Sequence, residues 1–386
     1  MSVRSARHLF ADLPAALVDE LLGRAPALSK AVVEQLSERR SQRERLRERL
    51  RALDLLGTVD RLPPVPIPTS CGVDGSVVVE RLLAHDLLVA GTLAVEGLTP
   101  PSEQRFWPEP RHQVWVELER HSDANDVVAR GVMAALEVEL AAQAPHELVF
   151  LDGSLATPLI AFDQALRALA ELAESTPSSR FFLARLPDWL AALHRLLEPD
   201  EQPGCRVGVP KYTTRRDIAE LLEIGDPVDD RALLIVLLEP GEFTRPIPLR
   251  RAHRPHSFGF ALLPAETRTR VADLVPRLFG FTDALRVVYV RPHRWLPALR
   301  VELHEAVASD DSRSAAVLAA VMHQCAGGNL VEPFPLFLAD RMVRHLRRTT
   351  RALRHTVRET VAREYPDFDH VFLALESYRS EVYRTP

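Results

Sequence analysis

The spacing of apolar positions divides the chain into a helical beginning, a strand-rich middle and a mixed remainder that ends in helix. Leu46, Leu50 and Leu53 recur at i, i+4 and i+7 in a run from Ser37 that is otherwise almost all polar. Residues 9–57 are therefore expected to be helical, with a narrow apolar seam on a solvated helix, suited to an arm or a dimer contact. Gly57 ends that stretch. The segment Leu62-Pro-Pro-Val-Pro-Ile-Pro cannot be helix, because proline lacks the amide a helix interior needs. The pattern thus predicts a helical N-terminal arm and proline-rich linker over 1–66 and one main domain over 67–386.

Within that domain, Thr69–Ser76 ends an apolar strand, Val77–Gly97 supplies one or two more, and Gln113–Leu118 alternates as a strand. Ser122, Asp123 or Asn125 can cap a helix running to about Gln143. Glu147–Leu151 is then a short apolar strand. Three strands followed by a crossover helix into a parallel strand is the opening order of an RNase H-like sheet. Further on, helices are expected at 158–174, 184–197, 266–278, 313–325 and, as one long element, 336–364. Strands are expected at Arg206–Val209, Leu233–Leu238, Ser257–Leu263, Val287–Val290 and Leu299–Leu303. The predicted class is α/β: an RNase H-like mixed sheet with flanking helices, a helical N-terminal arm and a long basic C-terminal helix.

Composition narrows the setting. With 46% apolar and 26% charged residues over 386 positions, the chain is globular, not disordered. Its three cysteines, Cys71, Cys205 and Cys325, are too far apart for a paired-cysteine zinc site or a disulfide framework, as expected of a reducing compartment. The first residues lack the apolar core of a signal peptide. Apolar runs such as Ala232–Leu238 are far short of a bilayer span. A cytoplasmic protein with no membrane partner is the expectation. A net charge of −5 gives no reason by itself to expect nucleic acid, but its distribution does. From Arg341 to Arg358 seven arginines occur with no acid, and Arg344, Arg347, Arg351, Arg354 and Arg358 share one helical face. Such a stripe matches a nucleic-acid backbone. The bland alternatives are a solvated face, or arginines that meet acids on another subunit.

The sharpest chemistry is a repeated tripeptide. Asp74-Gly75-Ser76 and Asp152-Gly153-Ser154 each follow an apolar stretch, which puts a carboxylate near a strand end with a glycine that permits a tight turn. In an RNase H-like sheet those two strands are neighbours. Two close carboxylates repel unless a cation lies between them, so the pair suits a hard divalent metal and metal-assisted phosphodiester cleavage. Two simple Asx-type turns are the alternative. A third acid is expected from the crossover helix. The helical wheel puts Glu139 inside the apolar arc and Glu137 at its edge, and favours Glu139, since an acid in an apolar arc needs a partner.

Several patches in order make the chain resemble the NurA nucleases. They are Val73-Asp74-Gly75-Ser76, the helix Arg130–Glu139 with Leu136-Glu137, Val149-Phe-Leu-Asp-Gly-Ser-Leu155, Gly208-Val-Pro-Lys211, Asp230 to Thr244, Leu299-Arg-Val-Glu302 and Pro333 to Asp340. The resemblance implies an RNase H-like fold and Mn2+- or Mg2+-dependent cleavage of DNA. It also implies a homodimer that works with a HerA-like hexameric ATPase in end resection or degradation of DNA, in repair or defence. Carried over residue by residue, it makes Asp74, Asp152 and Glu137 the metal-binding acids. Glu137 is chosen over Glu139 because it follows leucine in the family's pattern. Lys211 matches a lysine placed to meet a phosphate. Where the family has a tyrosine and then a histidine, this chain has Glu332 and Asp340. An aspartate still binds a hard cation, so Asp340 joins the expected metal and catalytic set, while the histidine's acid role would fall to a residue such as His304 or His345.

Two other classes compete. An actin-like or sugar-kinase-like ATPase would need glycine-rich phosphate loops, yet there are only 16 glycines and no Walker motif. A non-catalytic DNA-binding or adaptor subunit of a translocase would bind DNA and leave it intact. His253 and His256 read as a polar loop.

Overall fold

The computed structural model describes residues 13–98, 105–172, 174–198, 204–249, 258–325, 327 and 330–377. His253, His256 and the beginning of the strand expected from Ser257 lie outside the described residues.

Helices α1 (Ala15–Gly23) and α2 (Ala25–Ala52) precede a short strand β1 (Leu56–Thr58). Then come β2 (Ser70–Arg81), β3 (Asp86–Glu96), β4 (Arg111–Glu119), α3 (Ala124–Ala142) and β5 (Leu148–Asp152). Next are α4 (Thr157–Ala170), α5 (Pro177–Leu197), β6 (Cys205–Val209), α6 (Asp217–Leu221) and α7 (Asp230–Leu237). After β7 (Glu242–Thr244) and β8 (Ile247–Pro248) follow α8 (Ala265–Val271), α9 (Leu274–Asp283), β9 (Leu285–Val290) and β10 (Leu299–His304). The described chain closes with α10 (Glu305–Ala308), α11 (Asp311–Gln324), α12 (Phe334–Val343), α13 (Leu346–Glu364) and α14 (Phe368–Ala374).

One mixed sheet runs β1-β7-β9-β10-β6-β5-β2-β3-β4, with β8 also on β9. β2, β3 and β4 are antiparallel neighbours, and β5 lies parallel to both β2 and β6. The segment β4-β3-β2-β5-β6, with α3 crossing from β4 to β5, is an RNase H-like core, as the strand order predicts. β3 is buried along nearly its whole length, because both faces of this part of the sheet are covered. On one face α3 sends Val128, Val132 and Leu136 into a core shared with Leu88 and Ala90, backed by Phe162, Phe182 and Trp189. On the other face Leu318, Val321 and Leu336 pack on Phe150, Val207 and Val301.

The structure departs from the expected elements at several places. The run expected as a strand at Leu233–Leu238 is α7, capped by Asp229, whose side chain accepts from the Ala232 amide at 2.8 Å. The described part of the strand expected up to Leu263 holds a single 3-10 turn, Phe260–Leu262. The expected 336–364 helix is two helices, broken at Arg344–His345. The seam of α2 is spent inside the chain: Leu46 and Leu50 are buried against Leu233, Leu234 and Leu237, and Arg47 grips Glu242 with bonds of 2.6 and 2.7 Å. Leu53, by contrast, remains exposed.

Candidate active site

The two Asp-Gly-Ser tripeptides are not structural equivalents. Asp152 ends β5, and Gly153 adopts φ +91°, a left-handed turn that favours glycine. Asp74 instead sits in mid-strand, because β2 continues through Gly75 to Arg81. Gly75 is needed for space, not for a turn. A Cβ there would lie 2.5 Å from Glu137 Oε1 and 2.8 Å from Met133 Cγ. Gly72 does the same on the other face of the strand: its Cβ would meet the Leu336 amide nitrogen at 2.5 Å and the Pro335 carbonyl carbon at 2.6 Å. Two missing side chains therefore let α3 approach Asp74 from one face of β2 and the start of α12 from the other. The Asp74 backbone is held by Thr92 Oγ1, which donates to its carbonyl at 3.0 Å. One Asp74 carboxylate oxygen accepts from the Gly75 amide at 2.8 Å.

Parallel pairing of β5 with β2 and β6 brings Asp152 beside Asp74 and sets Lys211, just past β6, against both. The Lys211 ammonium lies 3.1 Å from Asp152 Oδ2 and 3.9 Å from Asp74 Oδ2. It is also 3.3 Å from Glu332 Oε2 and 3.4 Å from Asp340 Oδ1. Asp340 uses its other oxygen for Arg344, at 2.7 Å. Four carboxylates around one ammonium leave a concentrated excess of negative charge, and the side chains show it. Burial, then the Asp152 charge, pushes the Asp74 carboxyl up to about 8, against the opposing pull of Lys211. Burial and the charges of Asp74 and Asp152 hold Glu137 well above the usual carboxylate range. Burial also raises Glu332, partly offset by Lys211. Burial works against the Lys211 ammonium, but Asp152, Asp74 and Glu332 outweigh it and keep lysine charged.

Among the described residues, no three His, Cys, Asp or Glu side chains are already drawn together closely enough to hold an ion. The carboxylates are spread around the ammonium instead. Their chemistry nevertheless fits a hard divalent cation: the donors are all carboxylate oxygens, mostly buried, and they carry more negative charge than Lys211 neutralises.

The remaining candidates named from the sequence are sorted by the same geometry. Glu139, which the wheel favours, turns away from the cluster to Arg185 and to the Trp189 indole NH, at 3.1 Å from the latter. Glu137 stands against Gly75. His304 does not join the acids. Its Nδ1 accepts from the Ala306 amide at 3.1 Å and its ring stacks on Phe281. His345 is exposed at the start of α13. The arginine stripe is divided. Arg354 is buried and bound to Glu80 at 2.7 Å, and Arg358 reaches Glu376 at 3.4 Å and covers the Phe372 ring. Arg344, Arg347 and Arg351 remain on the exposed side. Glu332 is the residue that sequence reasoning noticed only as a departure. Its signal was an acid set directly between Val331 and the apolar run from Pro333, where an unpaired charge is costly.

The NurA domain model matches residues 68–345. Among solved structures, the NurA nuclease from Sulfolobus solfataricus superposes with a TM-score of 0.60 at 14% identity, covering 92% of this chain and 99% of that one. A NurA structure with manganese superposes at 0.51 with 15% identity, over 90% and 99% of the two chains. A comparison with curated proteins finds no match. Since the domain model spans most of its length, this chain belongs to the NurA family.

Proposed function

We propose that the chain is a divalent-metal-dependent nuclease that hydrolyses phosphodiester bonds in DNA. Asp74, Glu137, Asp152 and Asp340 would be the ligands for Mn2+ or Mg2+, and Lys211 the residue that meets a phosphate. The observation that carries this reading is the convergence of Asp74, Asp152 and Asp340, remote in sequence, within 3.9 Å of one ammonium. A family relative crystallised with manganese supports the choice of metal. When bound, such an ion stabilises negative charge on phosphoryl and leaving oxygens and makes water more acidic.

The chain's own groups supply the rest. The Lys211 ammonium would meet a phosphate oxygen as a point charge. Glu332 keeps it from swinging free. Arg344, tied to Asp340, extends the cationic edge toward Arg347. In this reading α13 tracks the DNA backbone, and the enzyme acts as a homodimer with a HerA-type hexameric translocase in end resection or defence. The chain has no phosphate loop of its own to supply ATP-driven movement. Among the described residues no helix is long and apolar enough to cross a membrane.

The test is degradation of labelled linear and circular DNA with and without Mn2+, in the parent and in Asp74→Ala and Asp152→Ala. Metal-dependent loss of full-length DNA, abolished in both variants, is the expected result. Equal cleavage by the variants would overturn the site assignment. A non-catalytic DNA-binding subunit is the second reading. It is favoured by the ammonium, which already occupies the centre of the cluster. Such a subunit would bind DNA without Mn2+ and leave it whole.

A further inference from the structure

Behind the acidic cluster lies a second, fully buried polar group. Glu302 on β10 has no exposed surface, and Arg300, two residues before it, is 5% exposed. The two are joined at 2.6 Å. A buried ion pair of this kind usually adds little net stability over apolar residues of the same size. Here the fold also leaves Arg300 Nε buried with no partner among the described residues. Stability is therefore a weak reason for the pair, and its outward contacts are more informative.

Each partner holds one of the loops that carry the cluster. Glu302 Oε2 accepts from Ser154 Oγ at 2.5 Å and from the Leu155 amide at 3.3 Å, which fixes the turn that follows Asp152. Arg300 donates to Thr213 Oγ1 at 2.9 Å, two residues beyond Lys211. Thr213 Oγ1 in turn accepts from the Arg215 amide at 3.0 Å, and Arg231 donates to the Lys211 carbonyl. The sheet register makes the reach possible. Leu151, Gly208 and Glu302 lie in one row across β5, β6 and β10. A Cβ on Gly208 would lie 2.7 Å from the Gly153 carbonyl oxygen and 3.0 Å from the Leu155 nitrogen. Only a glycine at the middle position lets the Asp152 turn fold across β6 and touch Glu302.

We propose that Glu302 and Arg300 are a positioning pair that sets the separation of the Asp152 carboxylate and the Lys211 ammonium by clamping both loops to one strand. Neither residue of the pair is among the proposed metal ligands or the proposed phosphate contact. It rests on the nuclease reading above, since the separation matters only if both groups act at one phosphate. Supports of this kind typically change metal affinity or activity by about 10–100-fold when lost.

Substituting Glu302 itself risks the core, so the test uses the outer ends of the clamp. Ser154→Ala removes one bond to Glu302, and Thr213→Val removes the bond to Arg300. Ser154→Thr keeps a hydroxyl to donate to Glu302 and serves as the conservative variant. The readouts are Mn2+ affinity by electron paramagnetic resonance, kcat and KM on linear DNA, and Tm. The expected result is Mn2+ binding weakened about tenfold in Ser154→Ala. Thr213→Val should lower kcat to a similar degree at unchanged KM. Each Tm should stay within a few degrees of the parent, and Ser154→Thr should fall between the parent and Ser154→Ala. A parent that binds Mn2+ and cleaves DNA, with both outer variants matching it, would overturn the clamp and leave the nuclease reading intact. A parent that neither binds Mn2+ nor cleaves would overturn that reading, and the clamp with it. A uniform fall in Tm with proportional loss in every readout would mark the pair as structural only and overturn the proposal.

Discussion

The ammonium of Lys211 stands 3.1 Å from Oδ2 of Asp152 and occupies the space that the surrounding acids enclose. At roughly 4 Å in a medium of effective dielectric 20, one pair of unit charges interacts by about 4 kcal/mol. The lysine is thus a built-in counter-ion, and under the proposed function a divalent cation would have to displace it.

That relationship predicts opposite effects on metal binding and on catalysis. Lys211→Met leaves Asp74, Asp152, Glu332 and Asp340 facing one another without the ammonium. The metal-free variant should melt lower than the parent, bind Mn2+ more tightly by about tenfold, one such step being about 1.4 kcal/mol, and recover its Tm when Mn2+ is added. Cleavage should nevertheless fall, because the phosphate contact is gone. Calorimetric melting and Mn2+ titration check this together. Weaker Mn2+ binding in the variant would show that the lysine does not compete with the metal.

Asp74 gives the pH dependence. Its carboxyl is raised from 3.8 to about 8 by burial first and by Asp152 second. A raised folded-state pKa means that the native protein holds a proton which the unfolded chain releases. This group's contribution to stability is therefore complete below about pH 4 and is lost as pH rises to about 8. Asp74→Asn should remove that loss, raising the Tm of the metal-free protein at pH 8 by several degrees while abolishing cleavage. In the parent, Mn2+ should bind more tightly as pH rises toward 8, because a proton must leave. Melting curves in chelator from pH 5 to 9 decide the matter. A parallel pH dependence in parent and variant would mean that Asp74 is not the titrating group.

The two glycines of β2 should fail differently. At Gly75 the added methyl meets side-chain atoms, the Glu137 carboxylate and Met133 Cγ, which give way more readily than backbone. Gly75→Ala should fold with a smaller loss of Tm than Gly72→Ala and lose cleavage by tenfold or more, in step with Glu137→Gln. At Gly72 the methyl meets the backbone of Pro335 and Leu336, which cannot move without shifting α12. Gly72→Ala should therefore cost more stability, about 1–3 kcal/mol as for other overpacked sites. Thermal melts set beside activity separate the two cases.

The RNase H-like core was legible because its elements carry distinct periods: apolar runs and alternation for β2 to β5, and a helical arc for α3. The run Ala232–Leu238 was misleading, since a short apolar stretch bounded by turns reads equally as a buried strand or a buried helix turn. Asp229 was the cap signal that would have decided it. The break at Arg344–His345 carries no glycine or proline and leaves no mark in the sequence. Asp74 was singled out on an expected strand-end turn that the structure does not have: Gly75 looks like a turn residue and serves as a gap for Glu137. The inward turn of Arg354 was hidden because its partner, Glu80, is 274 residues away and helical periodicity cannot see across the sheet.

That division of the basic helix is itself open to test. Arg354 is buried and paired with Glu80, whereas Arg347 lies on the exposed side of α13. Arg347→Ala should leave Tm within about 1 °C of the parent, since exposed substitutions rarely exceed ±0.5 kcal/mol. It should weaken DNA binding and flatten the dependence of log Kd on log salt by about one unit, the share of one phosphate contact on duplex DNA. Arg354→Ala should do the reverse. It removes the arginine that meets the Glu80 carboxylate at 2.7 Å under α13, at a cost of up to about 3–5 kcal/mol for a broken buried pair, and lowers Tm markedly. Its salt slope should stay that of the parent, because an arginine committed to Glu80 releases no counter-ion on binding. Fluorescence anisotropy at several salt concentrations, set beside thermal melts, measures both. If Arg354→Ala flattened the salt slope as much as Arg347→Ala, the whole stripe would face the nucleic acid and the division drawn from Glu80 would fall.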